Sequence, residues 1–279
     1  GLDLKYEDRF LSFGLTFKEK TSANTMDGYV GFGGRKYDRK KALELVNEIC
    51  NAFKNPVDLP EKEKLPIIFA STDSTPLKKL VSDLSGLSVG SKSSLFAEKI
   101  NEKVFSDNFT LYQDKDPEEK MRAFFDTEGA VNENYKYTLI ENGKILTPYT
   151  DKKMAKMFNL PHTGCAGGAY DGVPTLGGFS YTIKESEFSL NELLKGEKGI
   201  FVLFAAGGDF TPDGKFGTPV QVSFLMENGK LIGKLPELQI SSHIYDMFGQ
   251  DFRGVSNDNI NDLTTDKYLV IDMNVKKMQ

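Results

Sequence analysis

The spacing of apolar residues divides the chain into a helix-bearing first part and a strand-rich remainder. Phe10, Phe13, Leu15 and Phe17 alternate in part with polar residues and predict a strand over 8–17. Tyr29, Val30 and Phe32, set among Gly28, Gly31, Gly33 and Gly34, predict a second strand with close backbone packing. Ala42, Leu45, Val46, Ile49, Cys50 and Phe53 recur at three- and four-residue spacing, the mark of one helix face, and Asp38 is placed to cap that helix. The polar, proline-bearing stretch from Asn55 to Lys64 then predicts a boundary, giving regions 1–58 and 59–279. Leu65–Ala70 predicts a buried strand. Thr75 as cap and Pro76 in the first turn predict a helix with the apolar face Leu77, Leu80, Val81 and Leu84, closed by Gly86. Phe96, Ile100, Val104 and Phe105 suggest a further short helix or strand.

From about residue 108 the pattern is mostly strands and turns. Two heptapeptides nearly repeat: Leu139-Ile-Glu-Asn-Gly-Lys-Ile145 and Leu225-Met-Glu-Asn-Gly-Lys-Leu231. Asn-Gly between apolar runs favours a tight hairpin, because both central residues of a type I′ turn need positive φ. Hairpins are therefore expected near 136–149 and 220–235. Ser189 and Glu192 form a capping box before Leu193 and Leu194. Tyr268–Val275 alternates as a strand. The expected class is α+β, mainly antiparallel sheet with hairpins and a few packed helices.

Composition fits a folded chain. Of 279 residues 39% are hydrophobic, with 21 Phe and 11 Tyr to supply a core. The net charge of −5 argues against a general phosphate-binding surface, so no direct nucleic-acid partner is expected. The basic run Lys36–Lys41 reads as a solvated helix start. Ile67–Ala70 and Ile200–Ala206 are far too short to span a bilayer, and the first residues do not read as a signal peptide. Two widely separated cysteines make no disulfide framework. The expectation is a cytoplasmic protein without membrane contact. Its first segment already reads as mid-domain strand, as in a fragment of a longer chain.

A metalloprotease helix needs two His one turn apart with a Glu between them, and His162 and His243 are too distant in sequence to form one. His162 and Cys165 form H-x-x-C, a spacing that suits two zinc ligands. A third donor would have to come from His243, Cys50 or a carboxylate. The plainer reading is a Pro- and Gly-rich loop, with Cys50 in the core. A Cys165 nucleophile would need His162 or His243 to activate it. No phosphate loop or serine-hydrolase elbow occurs. Asp209–Gly214 begins like a calcium loop, but Val220 replaces its bidentate Glu, so a tight turn is expected. Asn257–Asp262 reads likewise as turn residues.

Phe124-Phe-Asp-Thr-Glu-Gly-Ala130, followed by Leu139-Ile-Glu-Asn-Gly-Lys144, resembles the TldD/PmbA family, often labelled modulator of DNA gyrase. Further pieces follow in the family's order: His162-Thr-Gly-Cys-Ala-Gly-Gly168, Ser189–Leu194 with Gly199–Val202, Gly207–Phe216, Glu227-Asn-Gly229, Ile240–Phe248 and Val255–Asp258. Their order over residues 65–275 carries the resemblance more than any one piece. It implies a β-rich C-terminal domain after 1–58, the end of the family's middle region, with the family's N-terminal part missing. The family is known as paired cytosolic peptidase subunits, in which the TldD-like subunit carries an HExxxH zinc helix and the PmbA-like (TldE-like) one does not. The place of that helix falls at Thr75–Gly86, which holds no His and no Glu, and the family's late zinc Cys falls near Asn259–Asp266, which holds no Cys. The resemblance therefore implies a non-catalytic subunit of a heteromeric zinc metallopeptidase that degrades or matures unfolded peptides. It implies no catalytic residue and no cofactor in this chain, zinc in a TldD-like HExxxH partner, and a homo- or heterodimer. Two alternatives stay open: a stand-alone peptide-binding or scaffold protein, and a self-sufficient metallopeptidase using His162 and Cys165.

Overall fold

A computed structural model describes residues 2–22, 26–261 and 263–278. The chain forms two compact units, one from residues up to Arg9 with Leu77–Lys184, the other from Phe10–Pro76 with Glu185 onward. Residues 10–58 thus pack in the same unit as the C-terminal strands, a division different from the regions 1–58 and 59–279 read in the sequence. The polar stretch after the first helix is stitched down: Asn55 donates Nδ2–H to the Ile232 carbonyl at 2.7 Å, and the Val57 N–H reaches the Lys234 carbonyl at 2.9 Å.

The second unit is built on an eight-stranded sheet. Its main path runs Gly199–Ala205, Lys64–Ala70, Lys267–Lys277, Leu238–His243, Lys215–Glu227 and Asp209–Phe210. Gly199–Ala205 and Lys64–Ala70 are parallel and the other pairs antiparallel. Because Lys215–Glu227 also pairs with Gly199–Ala205, five strands close into a ring, which removes their free edges. The last strand shows how the pattern directs this. Leu269, Ile271, Met273 and Val275 are buried on one face. On the other, Tyr268 and Val270 are buried, whereas Asp272 is half-buried and Asn274 exposed. The apolar end of that second face is covered by the helices Arg39–Phe53 and Leu190–Leu194, through Ile49, Ala52, Leu190, Leu193 and Leu194. Its polar end stays open: Gly217, Ser241, Asn274 and Lys64 lie side by side across four strands.

Local signals hold at several elements. Asp38 accepts the N–H groups of Lys40 and Lys41, capping Arg39–Phe53, and the residues from Lys36 to Lys41 are exposed. Ser189 and Glu192 make the reciprocal capping box. The first two strands form the ribbon Leu11–Phe17 and Gly28–Gly34. Cys50, expected in the core, is only half-buried at the rim of that helix.

The first unit holds a four-stranded sheet ordered Lys144–Ile145, Lys136–Glu141, Leu111–Asp114 and Tyr181–Ile183. Two expectations fail here. The helix predicted over Thr75–Gly86 is broken in two, Lys78–Asp83 and Gly86–Gly90. Thr75 is no cap, since Leu77 holds that position without a side-chain bond. Ser85 accepts the Ser88 N–H and starts the second helix, so Gly86 opens a helix instead of closing one. A Cβ at Gly86 would sit 3.1 Å from the Tyr149 carbonyl oxygen, so this glycine permits a close chain crossing. Phe96–Phe105 is neither helix nor strand. Its backbone turns, bonding to Gly143 and Ile145, while Phe96, Phe105 and Phe109 meet edge to face at 5.7 and 5.6 Å.

Both Asn-Gly hairpins form, with φ of 47° and 78° at Asn142 and Gly143 and of 50° and 71° at Asn228 and Gly229. Their surroundings differ. A Cβ on Gly143 would lie 2.2 Å from the Phe105 carbonyl oxygen, whereas on Gly229 it would meet nothing closer than 3.5 Å. Gly229→Ala should cost about 1–2 kcal/mol from its left-handed backbone, and Gly143→Ala clearly more. Urea unfolding of the two variants, followed by probes in each unit, checks the order; equal losses would contradict it.

Candidate functional site

The family-like segments of the first unit meet around one carboxylate. Asp126 is 3% exposed. Its Oδ1 accepts the N–H groups of Glu128 (2.9 Å) and Ala130 (2.8 Å), and its Oδ2 that of Ala166 (3.0 Å). It thereby ties the Phe124–Ala130 turn to the His162–Gly168 segment. Beyond it, Thr150 and Thr163 bond reciprocally: the Thr150 N–H donates to Thr163 Oγ1 at 2.8 Å, and the Thr163 N–H to Thr150 Oγ1 at 3.1 Å. Gln113, fully buried on the strand Leu111–Asp114, donates Nε2–H to the Gly164 carbonyl at 2.9 Å and accepts the Cys165 thiol through Oε1. The network satisfies polar groups that burial would otherwise leave destabilising.

This geometry separates the H-x-x-C pair. Cys165 is fully buried and committed to Gln113 and Thr163. Burial pushes its thiol up to about 12, against weaker opposition from the Thr163 bond and the Lys115 ammonium. A thiol held protonated is a poor metal ligand and nucleophile. His162 is exposed and turns towards Glu128, with Nε2 and Oε2 3.6 Å apart. Asp126, Glu128 and His162 form a group with one donor atom each within 4.8 Å of the others; Cys165 does not belong to it. The two carboxylates lie far from His162 in the chain, and only the acidic pair beside a glycine in Phe124–Ala130 hinted at them.

His243 lies in the second unit. Its Nδ1 accepts the Tyr245 N–H at 3.3 Å and its Nε2 sits 2.9 Å from the Asp213 carbonyl oxygen, an arrangement the neutral Nε2–H tautomer satisfies. It lines an open polar cleft of about 590 Å³, with Lys64, Ser241, Asp251 and Asn274 on its sheet wall and rim. Asp209–Gly214 is the tight hairpin turn expected, pairing Asp209 with Gly217 and Phe210 with Phe216. Asn257 and Asp258 are structural: Asn257 donates to the Glu187 carbonyl, and Asp258 accepts the Leu190 N–H. Asp262 lies outside the described residues.

The stretch where the resemblance expects the zinc helix forms the short helix Lys78–Asp83. Leu77, Leu80 and Leu84 are fully buried there. Its one carboxylate, Asp83, is taken by Lys79 Nζ at 3.1 Å and the Leu95 N–H at 3.0 Å. These residues do not fit a zinc ion.

A buried, protonated Cys165 should resist alkylation in the folded chain while half-buried Cys50 reacts. Iodoacetamide labelling at pH 8, read by peptide mass spectrometry, tests this; Cys165 modified as fast as Cys50 without denaturant would contradict the geometry.

Comparison with known proteins accounts for these shared segments. The family model described as PmbA/TldA metallopeptidase C-terminal domain matches residues 62–277. A metalloprotease of Methanocaldococcus jannaschii is 31% identical over 159 residues, 55% of this chain and 34% of that protein. A zinc metalloprotease TldD homolog of Saccharolobus solfataricus is 26% identical over 205 residues, 71% of this chain and 45% of that protein. The chain thus spans between a third and a half of the length of these relatives. Among solved structures, TldE from Thermococcus kodakarensis superposes with a TM-score of 0.75 at 21% identity, over 96% of this chain and 62% of that one. A candidate modulator of DNA gyrase from Bacteroides thetaiotaomicron gives 0.71 at 21%, over 96% and 60%. The chain belongs to the PmbA/TldA metallopeptidase family, whose C-terminal domain it carries.

Proposed function

We propose that this chain is a PmbA/TldE-like, non-catalytic part of a heteromeric zinc metallopeptidase that degrades or matures unfolded peptides. One observation carries the reading: where the family's zinc helix falls, Leu77, Leu80 and Leu84 are sealed in the core and Asp83 is ion-paired. Such a helix contributes packing and no Lewis acid. The peptidase zinc then belongs to a TldD-like HExxxH partner in a dimeric assembly. The self-sufficient reading through His162 and Cys165 draws no support, since the thiol faces inward and holds its proton.

The substrate suited to such a protein is an extended peptide, whose main chain can hydrogen-bond along a sheet while side chains enter flanking pockets. The open polar end of the ring, with Ser241, Asn274 and Lys64 in one row, offers such a surface. The net charge of −5 disfavours binding nucleic acid. Among the described residues no helix is long and apolar enough to cross a membrane, and the proposed location is the cytoplasm.

Reconstitution tests the reading. The whole protein alone should leave an unstructured peptide intact, and addition of its HExxxH-bearing relative should give cleavage well above that of the relative alone. Hydrolysis by this protein alone, or a mixture no more active than the relative, would refute it.

A further inference from the structure

Asp126, Glu128 and His162 have no part in the proposed peptidase chemistry, yet their donor atoms converge. The 3.6 Å between His162 Nε2 and Glu128 Oε2 is too long for a hydrogen bond. Two donors roughly 2.0–2.2 Å from a shared zinc-like ion, at tetrahedral or wider angles, stand about that far apart. Among the described residues, neither His162 ring nitrogen has a hydrogen-bond partner. The carboxylates are held from behind: Asp126 by three backbone N–H groups, and Glu128 by the Lys152 N–H at 3.0 Å, at the start of the helix Lys152–Phe158. Asp126 Oδ1 is taken by two N–H groups, but Asp126 Oδ2 and both Glu128 oxygens still have a lone pair to offer.

Charge around the group is compatible with a cation. Lys115, nine-tenths buried, interacts electrostatically with Asp126, while burial pushes its pKa down. The Lys152 ammonium is engaged by the Glu128 carbonyl at 3.0 Å. The Glu128 carboxylate faces the His162 imidazole. The His162 and Glu128 side chains are 31% and 14% exposed, so an ion and its waters can enter.

We propose that Asp126, Glu128 and His162 bind one first-row divalent transition-metal ion, distinct from the family's peptidase zinc. An imidazole with two carboxylates suits zinc, manganese, iron or cobalt better than the thiol-rich sets of closed structural zinc sites. The ion fastens the Phe124–Ala130 turn to the segment entering His162–Gly168, and its remaining positions are filled by water. The site rests on this chain's own side chains and does not depend on the proposed partner.

The test titrates Co²⁺ and Zn²⁺ alone into the whole, chelator-treated protein, reading calorimetry, the cobalt spectrum and the thermal midpoint. One ion per chain is expected, with a cobalt spectrum free of thiolate bands and a raised midpoint. His162→Ala should weaken binding roughly tenfold or more. Glu128→Gln, which can keep the Lys152 hydrogen bond, should weaken it too, and Cys165→Ser should leave it unchanged. Absence of stoichiometric binding, binding that survives His162→Ala, or a thiolate band would overturn the proposal. Peptide cleavage is not measured, so failure here leaves the subunit reading standing.

Discussion

The Asp126 carboxylate is the point on which the loops of the first unit depend. Three backbone N–H groups from two distant segments converge on it at 2.8–3.0 Å. Hydrogen bonds to a charged acceptor are among the stronger ones, contributing about 1.5–3 kcal/mol each. Buried as it is, the carboxylate would be strongly unfavourable without them. With those N–H groups in place, the segment His162–Gly168 can present Cys165 inward to Gln113 and leave His162 outside.

The second unit solves a different problem. A ring of five strands has no free edge among its members, and each strand's alternation decides which face is core. Along Lys267–Lys277 the outer face changes from Tyr268 and Val270 to Asp272 and Asn274, and the covering helices stop where the apolar residues do. The polar cleft is therefore a consequence of pattern: the sheet continues beyond what Arg39–Phe53 and Leu190–Leu194 can cover.

Much of this was legible in the residues. Asn142-Gly143 and Asn228-Gly229 announced their hairpins because few other dipeptides accept two positive φ angles. Asp38 and Ser189 announced their helices through caps. The broken helix after Thr75 was not legible: its apolar period continues to Leu84, but Ser85 captures the Ser88 N–H and the chain crosses Tyr149 at Gly86. The aromatic spacing of Phe96–Phe105 suggested regular structure, whereas those rings pack from turns. At the candidate site, H-x-x-C suggested two residues facing one ion. The Asp126 and Gln113 contacts send Cys165 inward, and the carboxylates that face His162 come from a turn that local spacing cannot connect to it.

The proposed reading is that this chain keeps the fold of a peptidase family without a metal-binding helix. The most direct measurement is peptide hydrolysis by the proposed pair after the motif glutamate of the proposed HExxxH partner is changed to Gln, with assembly verified by size-exclusion chromatography. The account predicts that cleavage disappears while the pair persists, because this chain has no zinc helix to substitute. Cleavage that continues and is abolished by His162→Ala in this chain would contradict it.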